Sequence, residues 1–205
     1  MLDNIYNELA NNNLVLSKIE RKIQPDAVSI VNNNIENHIT NKKNVTIYYA
    51  VGNGDNIQEI IGRGKLKGIT SRYFGVGYRY PIPIKLPLKF NTEILKHIGI
   101  QRSFEYTVSL VFETKIYNFT KLNFNFAIGN GFSYLPRPSP IIEGDEDVKP
   151  RKVLNYLLIE CNAYFSYFKN NSFVFQWHHR CHLFNTIAPK KTGSNYFAIG
   201  IRYYF

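Results

Sequence analysis

The sequence predicts an all-β protein, built as an eight-stranded antiparallel up-and-down β-barrel. Three observations lead to this prediction. The 205 residues include 15 Phe and 15 Tyr but one Met and one Trp, a balance that favours strands. From Val45 onward, apolar side chains alternate with polar or small ones in eight separate runs, with the period of a strand. Long and short connections alternate between the runs, as they do in a series of hairpins.

The first three runs lie between residues 45 and 94. Residues 45–52 alternate valine, isoleucine and tyrosine with threonine, tyrosine, alanine and glycine. Residues 69–80 repeat the pattern, and in residues 84–94 apolar side chains oppose lysine, asparagine and glutamate. We predict three strands here, although Pro87 lies inside the third, where it cannot donate a hydrogen bond to a neighbouring strand.

The other five runs complete the eight strands. They are residues 104–114, 122–129, 153–166, 172–181 and 195–205. The clearest is 122–129, where leucine, phenylalanine and isoleucine oppose asparagine, alanine and glycine. The connections between the eight runs span about residues 53–68, 81–83, 95–103, 115–121, 131–152, 167–171 and 182–194. Because the strand number is even, we expect both ends of the barrel sequence on the same side.

The chemistry of the second strand face decides what surrounds the barrel. Its charged members are Arg79, Lys85, Lys89, Glu93, Glu105, Glu113, Glu160, Arg180 and Arg202. A soluble barrel needs an apolar interior, and this many charges make a poor hydrophobic core. We therefore place the apolar face outside, in lipid, and predict an outer-membrane barrel. Four of the inward charges are expected to form a structural network in the lumen: Glu105, Glu160, Arg180 and Arg202. A soluble basic β-barrel that binds an anionic ligand or nucleic acid is the alternative.

The rest of the sequence bears on location. Residues 1–44 are rich in Asn and charge and show no strand alternation. They predict a polar N-terminal extension, loosely ordered or a short helix, before a barrel of residues 45–205. The N-terminal residues have no basic segment followed by an apolar core, so no signal peptide is visible in this sequence. We still expect a bacterial outer membrane. The net charge of +10 implies an anionic neighbour, which is nucleic acid, lipid phosphate or a membrane surface.

The last hairpin carries the candidate chemistry. Alternation in residues 172–181 puts His179 and Cys181 on the outward apolar face, next to a turn that lays Asn195 alongside them. Nucleophilic acyl transfer needs a nucleophile, a base within hydrogen-bond reach and a group that orients the base, and this trio has that arrangement in outline. A chance pair in a structural barrel is the alternative. His178 faces the other way, so no metal site is expected.

These residues belong to a longer set of segments that resembles the outer-membrane lipid A deacylases, the lipid A 3-O-deacylase or acyloxyacyl hydrolase family. The segments are residues 131–134 (GFSY), 142–143 (IE), 154–157 (LNYL), 178–181 (HHRC), 193–195 (GSN), Gly200 and 202–205 (RYYF). The resemblance is strong over residues 129–205 and diffuse over 45–128. It implies an eight-stranded barrel that hydrolyses an ester-linked acyl chain of lipid A. The family uses a His and a Ser two residues apart, with an acidic residue near the start of the last strand.

By position, the resemblance makes His179 the base, puts Cys181 where the family has its nucleophilic Ser, and puts Asn195 near the acidic position. The backbone N–H groups of His182 and Leu183 are then candidate donors to an oxyanion. The resemblance implies no cofactor, and it implies lipid A or lipopolysaccharide and outer-membrane lipids, not nucleic acid, as partners. A catalytically silent barrel with a structural or surface-interaction role is the alternative function.

Overall fold

A computed structural model of the chain describes residues 41–53, 71–119, 122–143, 149–165, 168, 170–182 and 192–205. The strands in these ranges are β1 (Asn44–Asn53), β2 (Ser71–Pro81), β3 (Leu88–Gly99), β4 (Phe104–Glu113), β5 (Tyr117–Phe119), β6 (Leu122–Tyr134), β7 (Val153–Phe165), β8 (Asn171–Cys181) and β9 (Gly193–Tyr204). A short helix, α1 (Pro140–Glu143), follows β6. Over the described ranges, no helix has the length and apolar character to cross a membrane. The polar extension predicted for residues 1–44 lies outside the described residues as far as residue 40.

The strands close into a barrel. The antiparallel pairs are β1–β2, β2–β3, β3–β4, β4–β6, β6–β7, β7–β8, β8–β9 and β9–β1. The three-residue strand β5 also pairs with β6, beyond the end of β4, and so extends the pairing along the same side of β6. The predicted all-β fold, an eight-stranded antiparallel up-and-down barrel, is confirmed.

The third strand differs from the prediction. β3 spans Leu88–Gly99, whereas the alternation predicted residues 84–94. Pro87 has no N–H to give to a ladder, so the strand begins after it and residues 82–87 form a connection. The prediction that Lys85 faces the lumen is therefore wrong, because its side chain is exposed in this connection.

Two other strand ends also differ. The connection after β3 contains residues 100–103, where the pattern predicted 95–103. It begins beyond Gly99, whose φ of 98° lies in the left-handed region that favours glycine. β6 continues past residue 129 to Tyr134, because the Gly-Asn-Gly sequence at 129–131 interrupts the apolar signal but not the strand.

The barrel is apolar outside and polar inside. On β2, Phe74 and Val76 are 54% and 52% exposed, whereas the neighbouring Tyr73 is buried in the lumen. The other long strands show the same alternation, with asparagine, serine, threonine and charged side chains buried inside. A soluble barrel has the reverse arrangement, so the soluble alternative does not fit the structure. A lipid-facing exterior and a lumen filled by side chains are typical of small outer-membrane barrels.

A central ion cluster crosses the lumen and consists of Arg79, Lys89, Glu113, Glu160 and Arg202. Glu160 accepts hydrogen bonds from Arg79 at 2.8 and 2.9 Å and from Arg202 at 2.9 Å. Glu113 pairs with Arg79 and with Lys89, each at 2.9 Å. Each carboxylate therefore faces two cations, and buried charges are tolerated only while they are paired in this way.

A second group, the mouth cluster, lies near the end of the barrel where β8 ends and β9 begins. Its centre is Glu105, whose carboxylate contacts Nε2 of His97 at 2.7 Å and Nε2 of His178 at 3.0 Å. Arg180 approaches Glu105 at 3.5 Å and also pairs with Glu143, which ties α1 to the barrel wall. The four charges expected in the lumen are buried inside the barrel, two in each cluster: Glu105 and Arg180, and Glu160 and Arg202.

Replacing Glu160 with Ala should lower the free energy of unfolding by about 3–5 kcal/mol, because Arg79 and Arg202 lose the counterion that they share. Urea unfolding in detergent micelles, followed through the emission of the single Trp, measures the change. Lys115→Ala, at an exposed position, is the control and should leave the unfolding midpoint unchanged. Equal midpoints for the wild type and the Glu160 variant would contradict the role of the central ion cluster.

Candidate active site on the outer wall

The candidate site lies on the outer wall of the barrel, at the end of β8. Because side chains alternate along a strand, β8 directs Trp177, His179 and Cys181 outward, and the structure leaves all three half-buried. In the register of the sheet, His179 lies opposite Asn195 of β9. Cys181 lies between Gly193 of β9 and Asn155 of β7. The three strands thus bring the predicted residues onto one outward patch.

Asn195 holds the ring of His179. It faces outward yet is only 2% exposed, and it contacts two side chains of β8. Its Oδ1 lies 3.0 Å from Nε1 of Trp177 and 2.8 Å from Nδ1 of His179. The indole N–H can only donate, so the amide atom that it meets must be the oxygen. The same oxygen must then accept the proton of Nδ1, which leaves Nε2 of the neutral ring with a lone pair. The geometry prepares His179 to act as a base through Nε2.

Trp177 also packs against the base. Its ring centroid lies 5.3 Å from that of His179, with an angle of 34° between the two planes. The indole therefore limits rotation of the imidazole on one side, while Asn195 fixes the other end of the ring. Sequence analysis did not single out Trp177, although its position two residues before His179 on the same face is a signal that could have identified it.

Cys181 has a polar neighbour on β7. Asn155 lies opposite it in register, and Nδ2 of the amide donates a hydrogen bond to Sγ at 3.6 Å. Asn155 is 3% exposed, although it lies on the outward face of its strand. The sequence placed it in a segment of the family resemblance but assigned it no role. Neither Cys161 nor Cys181 takes part in a disulfide.

Gly193 of β9 lies on the other side of Cys181 in the register of the sheet. Its φ is +147°, and a Cβ atom at this position would lie 2.2 Å from the carbonyl oxygen of Arg180. A side chain is therefore excluded here by both conformation and space.

The remaining predicted site residues are placed as follows. His182 is half-buried and directly follows the end of β8, whereas Leu183 lies outside the described residues. His178 points into the lumen, where it contacts Glu105, and so does not share a face with His179 and Cys181. Within the described part of the chain, no three His, Cys, Asp or Glu side chains are grouped in a way that could hold a metal ion.

An apolar groove of about 300 Å³ runs along the outer wall next to the site. It is lined by Tyr49 and Val51 of β1, by Phe175 of β8, and by Phe197 and Ile199 of β9. Phe197 is the next outward residue after Asn195, so the groove begins beside the candidate site. Its shape and lining suit a hydrocarbon chain that lies along the barrel wall.

Charge is divided between the inside and the outside of the barrel. Every acidic side chain of the described residues is buried: Glu93, Glu105, Glu113, Glu143 and Glu160. Exposed basic side chains surround the end of the barrel that carries the site, and we call them the basic collar: Arg72, Lys96, Arg102, Arg137, Lys149, Arg151 and Lys152. The described surface at this end therefore attracts anions.

No known protein family and no curated protein matches the sequence. The fold is similar to that of the outer membrane enzyme PagL, with 10% identity, 77% of this chain and 98% of that chain covered, and a TM-score of 0.52. Neisserial surface protein A (NspA) is similar at 10% identity, with 80% and 97% covered and a TM-score of 0.48. The N-terminal β-barrel domain of Pseudomonas aeruginosa OprF follows at 8% identity, with 80% and 98% covered and a TM-score of 0.47. The likeness to PagL shows the fold alone, which is that of an eight-stranded outer-membrane barrel.

Proposed function

We propose that the protein is a lipid A deacylase of a bacterial outer membrane, which hydrolyses an ester-linked acyl chain. The observation that carries the proposal is the pair of His179 and Cys181 on the lipid-facing wall, with Asn195 bonded to Nδ1 of the histidine at 2.8 Å. A base of fixed orientation next to a nucleophile is the arrangement that acyl transfer needs. An apolar outer wall favours a lipid ester over a water-soluble substrate, because the lipid ester already lies in the membrane that contacts the wall.

The proposed reaction uses a covalent intermediate. Nε2 of His179 takes the thiol proton of Cys181 as the sulfur attacks the carbonyl carbon of the ester. The backbone N–H groups of His182 and Leu183 are the proposed donors to the resulting oxyanion. Collapse of the tetrahedral intermediate breaks the ester C–O bond, and His179 returns the proton to the departing sugar oxygen. Water, activated by His179, then hydrolyses the thioester, which releases the fatty acid and restores the thiol.

Two features of the outer wall support a lipid A substrate. The apolar groove begins beside Asn195 and offers a place for the acyl chain to lie along the barrel. The basic collar surrounds the same end and provides cations for the phosphate groups of a lipopolysaccharide headgroup. The two features together fit an anionic amphiphile whose ester lies at the border between hydrocarbon and headgroup.

A catalytically silent barrel, with a structural or surface-interaction role, is the second candidate. The observation in its favour is the neutral amide of Asn195, near the position where the lipid A deacylases that the sequence resembles have an acidic residue. An amide orients a histidine but does not compensate the charge of the imidazolium that forms during proton transfer. A thiol on an apolar surface also ionises less readily than one near cations.

Mass spectrometry of lipid A from cells that express the protein behind a working signal peptide tests the proposal. The wild type should remove one acyl chain from lipid A. His179→Ala should reduce the loss by about 100-fold or more, because it removes the general base. Cys181→Ala should abolish the loss, because it removes the nucleophile.

The matched control is Cys161→Ala, since Cys161 is a half-buried outward cysteine on β7 that takes no part in the proposed site. This variant should deacylate like the wild type. If lipid A is unchanged while the wild-type protein is folded in the outer membrane, the deacylase proposal is wrong and the second candidate, a catalytically silent barrel, is correct.

Asn195→Asp should raise the rate constant of deacylation by about 10-fold or more, because a carboxylate both orients the imidazole and balances its charge. Asn195→Leu should lower it, because His179 and Trp177 lose their common acceptor. The emission maximum of Trp177 gives an independent reading of the site: in the leucine variant it should move to shorter wavelength. A deacylation rate that is the same for asparagine, aspartate and leucine would contradict the orienting role of Asn195.

A further inference from the structure

Asn155 is an exception on the outer wall. Along β7, the outward side chains Val153 and Ile159 are 45% and 39% exposed and apolar, as expected for a strand that faces lipid. Asn155 lies on the same face but is polar and 3% exposed. A buried amide on a lipid-facing wall loses its hydrogen bonds to water and is costly unless it has other partners. A specific contact at this position must therefore compensate the buried amide.

The compensating contact is the hydrogen bond to the sulfur atom of Cys181. Nδ2 of Asn155 donates to Sγ of Cys181 at 3.6 Å, across the pair that the β7–β8 register places side by side. A thiol is a weak acceptor, but a thiolate is an anion, and hydrogen bonds to charged groups are roughly twice as strong as bonds between neutral groups. The amide thus stabilises the sulfur far more after the proton has left than before.

We propose that Asn155 is a catalytic residue whose amide N–H stabilises the thiolate of Cys181 on this lipid-facing surface. Its role in turnover rests on the proposed deacylase function, whereas its effect on the sulfur does not. The proton of the thiol passes to Nε2 of His179, and Asn155 transfers none. When the sulfur bonds to the acyl carbon it loses its charge and the hydrogen bond weakens, and hydrolysis of the thioester restores both.

The neighbours of Cys181 in the sheet place one hydrogen-bond donor, Asn155, at the sulfur. The outward polar side chains closest to Cys181 in the register of the sheet are Asn155 from β7, His179 from β8 and Asn195 from β9. The oxygen of Asn195 accepts hydrogen bonds from His179 and Trp177. The charged Arg180 points into the lumen, where it pairs with Glu143. The amide N–H of Asn155 donates to the sulfur at 3.6 Å.

Alkylation of Cys181 by iodoacetamide tests the inference without any need for hydrolysis. The full chain carries Cys161→Ala, so that Cys181 is the single thiol of a sequence with two cysteines. Asn155→Leu keeps the volume of the side chain and removes the donor. We expect its alkylation rate in detergent micelles to fall about 10-fold at neutral pH and to approach that of the parent at strongly alkaline pH, where the thiol ionises in both proteins.

Two further variants complete the test. Asn130→Leu, at an exposed outward asparagine on β6, should alkylate like the parent. Asn155→Asp replaces the donor with an anion of the same size and should slow alkylation at neutral pH more than leucine does. An unchanged neutral rate in both Asn155 variants, or an equal fall at every pH, would overturn the inference, because an altered access to the thiol acts at all pH values.

The outcome is separable from the proposed function. If Asn155→Leu loses thiolate reactivity while the wild type leaves lipid A intact, Asn155 stabilises the sulfur and the deacylase proposal fails. If the wild type deacylates lipid A while the Asn155 variants alkylate normally, the deacylase proposal holds and the role of Asn155 is wrong.

Discussion

Hydrocarbon provides no hydrogen bonds, and this one constraint accounts for most of the structure. Every backbone group must find its partner in the sheet, so the strands close into a barrel with no free edge. Charged side chains must turn inward and pair, as Glu160 does with Arg79 and Arg202. The candidate site meets the same constraint in another way, because its outward polar groups bond to one another: Asn195 to Trp177 and His179, and Asn155 to Cys181.

The faces of the strands could be predicted from the sequence because a strand places alternate residues on opposite sides, whatever its neighbours are. Phe74, Val76 and Ile199 are exposed as the alternation indicates, and Arg202 is buried. The ends of strands were harder to predict. β3 begins after Pro87 and β6 runs through a Gly-Asn-Gly sequence, since hydrogen bonds to neighbouring strands, and not side-chain polarity, decide where a strand ends.

Within the site, the sequence could place His179 and Cys181 on one face and Asn195 near them, because a single hairpin joins these residues. It could not identify the partner of Cys181 on β7. That contact depends on the β7–β8 register, and a shift of two residues would keep every side chain on its face while moving Asn155 away from the sulfur. The sequence could not indicate the tautomer of His179 either, because the tautomer follows from the oxygen of Asn195 that His179 shares with Trp177.

The candidate site lies on the outside of the barrel wall, and the paired charges of the two clusters lie in the lumen behind it. The lipid substrate that we propose would therefore reach His179 and Cys181 by travelling within the plane of the membrane. Encounter is governed by the number of lipid molecules per unit area and by their lateral diffusion, not by a concentration in the aqueous phase. A soluble ester of identical chemistry must first partition into the bilayer before it can meet the thiol.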